Sequence, residues 1–160
     1  MTEADLGLLV EWFADPDVVQ WFGPPIDRTT VEAKYGPRLR GEQATEMWIL
    51  DIDGASAGML QCYRHADDAE TDEVVGVADA VGVDYLLASP FRGRGLAGPV
   101  LASFAEFALK RFPDCRVVVA TPNEDNAASR GALRAAGFRF SHTSFPASGD
   151  REAVYVLAAR

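Results

Sequence analysis

The spacing of apolar residues changes along the chain, from a helical rhythm to alternation and back. Leu6, Leu9, Val10 and Phe13 recur every three or four positions behind Thr2-x-x-Asp5, a capping-box pattern, so a helix is predicted up to Ala14. Asp15-Pro16 ends it. A second short piece through Trp21-Phe22 stops at Gly23-Pro24-Pro25, and a third helix is predicted from Thr29-x-x-Glu32. Residues 45–51 and 57–64 then read as strands on either side of Asp53-Gly54, a two-residue hairpin signal, so the sheet starts antiparallel.

Residues 81–88 are apolar except for Asp84, the pattern of a central strand buried on both faces. A Gly-rich turn follows, then a helix whose apolar stripe is read as Leu96, Val100, Phe104 and Phe107, with Pro99 in its first turn. Residues 115–121 form a β-branched run, 123–136 a helix closed by Gly137, and the tail carries two strands around Ser148-Gly149-Asp150. This order predicts an α/β domain with a mixed sheet: parallel in the middle, antiparallel at both ends, flanked by helices. With 160 residues, a single domain spanning 1–160 is expected.

Composition narrows the function. The chain is 48% hydrophobic and 24% charged, an ordinary globular balance. No apolar run approaches the roughly 20 residues of a bilayer span, and Met1-Thr2-Glu3-Ala4-Asp5 lacks signal-peptide features, so a cytoplasmic address is expected. Cys62 and Cys115, like His65 and His142, match no metal spacing, and no metal is expected. A net charge of −9 repels nucleic acid and anionic membrane and favours a cationic small-molecule amine as partner. Residues 66–91 hold seven acids and no lysine or arginine. This stretch is read either as a solvated loop or as a rim that draws cations, with Asp67 and Asp68 as candidate substrate ligands.

Arg92-Gly93-Arg94-Gly95-Leu96-Ala97 joins the central strand to the next helix. Backbone N–H groups left unpaired there face the positive end of the helix dipole, glycines allow close approach, and the arginines add charge, so the turn suits a phosphate. It matches neither a P-loop nor a dinucleotide fingerprint, and a plain strand-to-helix turn is the alternative.

At these residues the chain resembles the GCN5-related N-acetyltransferase family, whose pyrophosphate motif is Arg or Gln, two residues, Gly, one residue, then Gly or Ala. The resemblance extends to Asn126 at the start of the next helix and to Gly137-Phe138 at its end. It implies acetyl-coenzyme A as cofactor, with Leu86, Leu87 and Ala88 beside the pantetheine arm, Arg92 to Ala97 around the diphosphate, and Asn126 and Ser129 completing the cofactor site. The family's opening strand, which ends in a Leu-Arg-Pro-like stretch, is expected to be missing or supplied otherwise. Within the family the chain is similar to type I aminoglycoside 6'-N-acetyltransferases, through Glu11-Trp12, Trp21-Phe22-Gly23, Tyr35, Gln61-x-Tyr63, Val83-Asp84 and Ala153-Val154-Tyr155. That likeness implies an acceptor pocket lined by Trp21, Tyr35, Gln61 and Asp84, an aminoglycoside substrate and a role in antibiotic resistance.

An acceptor amine must lose a proton before it attacks, and Asp84 is the candidate base; a structural aspartate capping nearby amides is the alternative. For Trp21 and Tyr35 the alternative is core packing. Two departures stand out. Leu133 occupies the position of the tyrosine taken to protonate the leaving thiolate, and Thr121 that of a second acceptor-binding carboxylate. The alternatives for function are acetylation of a polyamine, peptide or siderophore-precursor amine, and a non-catalytic acetyl-CoA-binding module.

Overall fold

The computed structural model describes residues 1–159. Two compact units share the chain, residues 1–61 with 85–92 and residues 62–84 with those from Gly93 onward.

In the first unit a 3-10 turn, Glu3–Asp5, leads into α1 (Leu6–Phe13), α2 (Pro16–Phe22) and α3 (Arg28–Leu39). The Thr2 amide donates to the Asp5 carboxylate at 2.7 Å, as the capping box predicts. The third helix starts earlier than Thr29: Asp27 accepts from the Thr30 amide at 2.7 Å, while Glu32 pairs with Arg28 along the helix surface. Strands β1 (Glu46–Ile52) and β2 (Ala55–Arg64) follow, joined by Asp53 and Gly54 at φ of 54° and 81°, the left-handed pair that a tight hairpin needs. Leu9, Val31 and Met59 are wholly buried among Trp12, Phe13, Tyr35, Leu86 and Ala88.

The second unit holds the 3-10 turn His65–Asp67, α4 (Ala69–Val75), α5 (Ala97–Arg111), β4 (Val117–Ala120), α6 (Ala127–Ala135), β5 (Arg139–Ser144) and β6 (Glu152–Ala158). Strands β2 and β3 (Ala80–Leu87) run through both units. The six strands join in the order β1-β2-β3-β4-β6-β5. Strand β3 pairs parallel with β4, Ala80 beside Val117 and Gly82 beside Val119. Strands β4 and β5 both pair antiparallel with β6. The expected mixed sheet, parallel in the middle, is present.

Three local expectations are corrected. Within the acidic stretch lies a short helix, α4, because Asp68 caps it and Gly76 closes it in the left-handed conformation at φ 63°. The helix predicted from residue 123 begins at Ala127, because Asn123 stays extended opposite Glu152. Its cap is Asn126, which accepts from the Ser129 amide at 3.0 Å. In α5 the buried face is Gly98, Leu101, Phe104, Ala105 and Ala108, whereas Phe107 is 41% exposed. Small residues win that face because α6 comes close: a Cβ on Gly98 would meet the Cβ of Ala135 at 3.0 Å.

A Cβ on Gly58 would lie 2.0 Å from the Leu86 carbonyl oxygen, a backbone atom that cannot swing aside. Gly58→Ala is therefore expected to destabilise the protein by about 3 kcal/mol or more, read as a fall in urea midpoint at unchanged slope.

Candidate active site

After β3 the chain makes a single 3-10 turn, Ser89–Phe91, and then passes Gly93 and Gly95 at φ of 69° and 72° before entering α5. Only glycine adopts that conformation without a Cβ penalty. Nothing lies within 4 Å of where a Cβ would be at either glycine, so this side of the turn is open. The N-termini of α2, α3, α4 and α6 are capped by Asp15, Asp27, Asp68 and Asn126. Helix α5 instead has Leu96 at its cap position, with no side-chain cap and no acid in its first turn. Its first amides and the positive end of its dipole are thus left for an anion, and the residues present fit a diphosphate.

Arg92 does not add to this charge as expected. Its Nη2 lies 3.0 Å from Asp15, its Nη1 3.2 Å from Asp17, and its Nε donates to the Leu87 carbonyl at 2.8 Å. The guanidinium ties the end of β3 to the start of α2, inside the first unit. Arg94 is exposed beside the glycines. Leu86 and Ala88 are buried, and the Ala88 amide donates to the Ala57 carbonyl at 2.8 Å. Asn126 and Ser129 hold each other at the α6 cap.

The acceptor candidates divide between the units. In the first, Tyr35 is 2% exposed and stacks on Phe13 with ring centroids 5.7 Å apart, so the core-packing alternative describes its ring. Arg38 lies 5.2 Å from the Tyr35 ring and donates to the Gln61 side-chain oxygen at 2.6 Å. Trp21, in the last turn of α2, is exposed. In the second unit Asp67 is exposed in its 3-10 turn, and Asp68 accepts from the Glu70 and Thr71 amides as the cap of α4. Asp84 is half-buried on β3, and its negative charge acts on a residue the sequence reading missed, Glu152 at the start of β6. The Thr121 side chain hydrogen-bonds the Glu152 carboxyl. The one signal in the sequence was an acid two positions before Val154, inside the alternation of the last strand.

Burial pushes the Glu152 carboxyl above its ordinary value of 4.5, and the charges of Asp84 and Asp150 add to the rise. Asp15 goes the other way: the Asp17 amide, then Arg92, hold it below 3.8. No helix among the described residues is long and apolar enough to cross a membrane.

Residues 1–144 match the family model described as an acetyltransferase (GNAT) domain. The chain belongs to the GNAT acetyltransferase family. This GNAT chain is 28% identical over 170 aligned positions to an aminoglycoside N(6')-acetyltransferase type 1 from Klebsiella pneumoniae, covering 100% of the chain and 81% of the relative. It matches the corresponding Serratia marcescens protein to the same extent. The crystal structure of the aminoglycoside acetyltransferase AAC(6')-Ib with coenzyme A has the same fold, with a TM-score of 0.87 at 24% identity over 99% of this chain and 91% of that one. So does the spermidine N-acetyltransferase from Vibrio cholerae, solved with CoA and spermine, at 0.75, 10% identity, 99% and 92%.

In this acetyltransferase the Asp15 and Glu152 carboxyls oppose each other in their effect on stability. Asp15 titrates lower folded than unfolded, so its contribution is full above the unfolded value and is lost as pH falls through the lowered one. Glu152 titrates higher folded than unfolded, so ionising it near pH 7 works against folding. Asp15→Asn is expected to lower stability at pH 7, with the deficit shrinking toward pH 3 as the wild-type carboxyl protonates. Glu152→Gln is expected to hold or raise Tm at pH 7. Thermal melts across pH check both.

Proposed function

We propose that this enzyme is an acetyl-CoA-dependent N-acetyltransferase that acts in the cytoplasm on the 6'-amino group of an aminoglycoside, and so confers antibiotic resistance. The observation that carries the reading is one placement: a half-buried carboxylate, Asp84, on the strand that runs into the uncapped helix end. Its support on acceptor class is the 28% identity to aminoglycoside 6'-acetyltransferases along 100% of the chain.

The amides of the Gly93 to Ala97 turn and the dipole of α5 would hold the diphosphate of the cofactor. When bound, acetyl-CoA supplies an activated thioester acyl group. A free alkylamine, with a pKa of about 10, is almost wholly protonated near pH 7. Asp84 attracts that ammonium and accepts its proton, directly or through one water, which frees the lone pair for attack. Leu133 is wholly buried and has no ionisable proton, so it could not act as an acid toward a leaving thiolate, a role that would fall to water.

A thiol-release assay against kanamycin, linear polyamines and peptides tests the acceptor; turnover of peptides alone would overturn the aminoglycoside reading. Gly95→Val should weaken CoA binding about ten-fold or more by calorimetry, because a β-branched residue resists a positive φ and its side chain covers the amides. Asp84→Asn should lower kcat about 100-fold with CoA affinity unchanged, and an unaltered rate would remove Asp84 from the mechanism.

A further inference from the structure

Strand register places four polar side chains on one face of the second unit. The β3–β4 pairing sets Ala80 beside Val117 and Gly82 beside Val119, so Asp84, two residues past Gly82, and Thr121, two past Val119, alternate onto the same face. The β4–β6 ladder continues past Ala120 through the Ala153 amide, which donates to the Pro122 carbonyl at 2.8 Å, to Asn123 opposite Glu152. On the other side of β6, Ser144 of β5 sits opposite Glu152. Residues directly opposite share a face, as do those two apart along a strand, so Asp84, Thr121, Glu152 and Ser144 project together.

The charges that shape Glu152 are those of Asp84 and Asp150, both acids, while the adjacent Arg151 is held by Glu124 at 2.9 Å. Ser144 is 3% exposed, yet its hydroxyl has no hydrogen-bond partner. A buried hydroxyl without a partner costs stability, as does a half-buried carboxylate facing other acids. An ammonium group, with three donors and a positive charge, answers both.

We propose that Glu152 and Ser144 form a second ammonium-binding subsite beside Asp84, so that an acceptor with two amino groups is gripped by one while the other is acetylated. The inference rests on the acceptor reading above. It concerns residues at and beyond the end of the family match, which stops at 144. The subsite favours polyamines over monoamines, and Glu152 acts on acceptor affinity, not on the rate of transfer.

Titration of kanamycin into CoA-saturated protein tests it, with 6-amino-6-deoxyglucose as the single-amine control. Glu152→Gln should raise the kanamycin Kd about ten-fold or more, leave the control unchanged, and keep kcat in the thiol-release assay within about two-fold. Ser144→Ala should raise the same Kd about three-fold. Glu152→Asp, which keeps the charge, should bind kanamycin more tightly than Glu152→Gln and serves if the amide variant folds poorly. An unchanged kanamycin Kd in Glu152→Gln, an equal rise for the control, or a loss confined to kcat overturns the subsite. If the wild-type protein ignores kanamycin, the aminoglycoside reading falls and the subsite is read from spermine against butylamine; failure to bind spermine too, or equal shifts for both, overturns it.

Discussion

The parallel pairing of β3 with β4 is the constraint on which the site depends. Two parallel neighbours cannot be joined by a hairpin, so the chain must cross over through α5, which begins at the carboxyl end of β3. That connection delivers a helix N-terminus to the strand ends of an α/β sheet, the usual place for ligands in such folds. The turn meets its geometry with two left-handed glycines, and the absence of a side-chain cap leaves its amides available. Asp84 sits three residues from the end of the same strand.

Charge is divided by position. Arg92, nominally part of the phosphate motif, pairs with Asp15 and Asp17, and it stabilises the first unit. Asp68, in the most acidic stretch of the sequence, caps a helix. Glu152 is half-buried near Asp84 and Asp150, and burial together with their charges raises its proton affinity. Formal charge along the sequence therefore misleads about which groups face a ligand, because hydrogen-bond geometry decides which are already engaged.

Local signals were legible where one residue type fixes one backbone state. Asp53-Gly54, Gly93 and Gly95, Gly137, and the Thr2–Asp5 cap each appear where the sequence places them, since their physics is confined to a few neighbouring residues. Helix α4 was missed because a seven-residue helix in an acidic run has too few apolar positions to show a period. The buried face of α5 was misread because its small residues, Gly98, Ala105 and Ala108, are chosen by the approach of a neighbouring helix and not by hydrophobicity.

The amino-acid sequence by itself determined the order of the strands and of every helix but α4, the mixed sheet, the glycine turn and the isolated acid in an apolar strand, because these follow from periodicity and local backbone preference. Only the tertiary structure decided that Arg92 is bound by Asp15, that Tyr35 lies in the core, and that Asp84, Thr121, Glu152 and Ser144 share a face. Those facts depend on register between strands distant in sequence, and register is set by packing across the whole sheet.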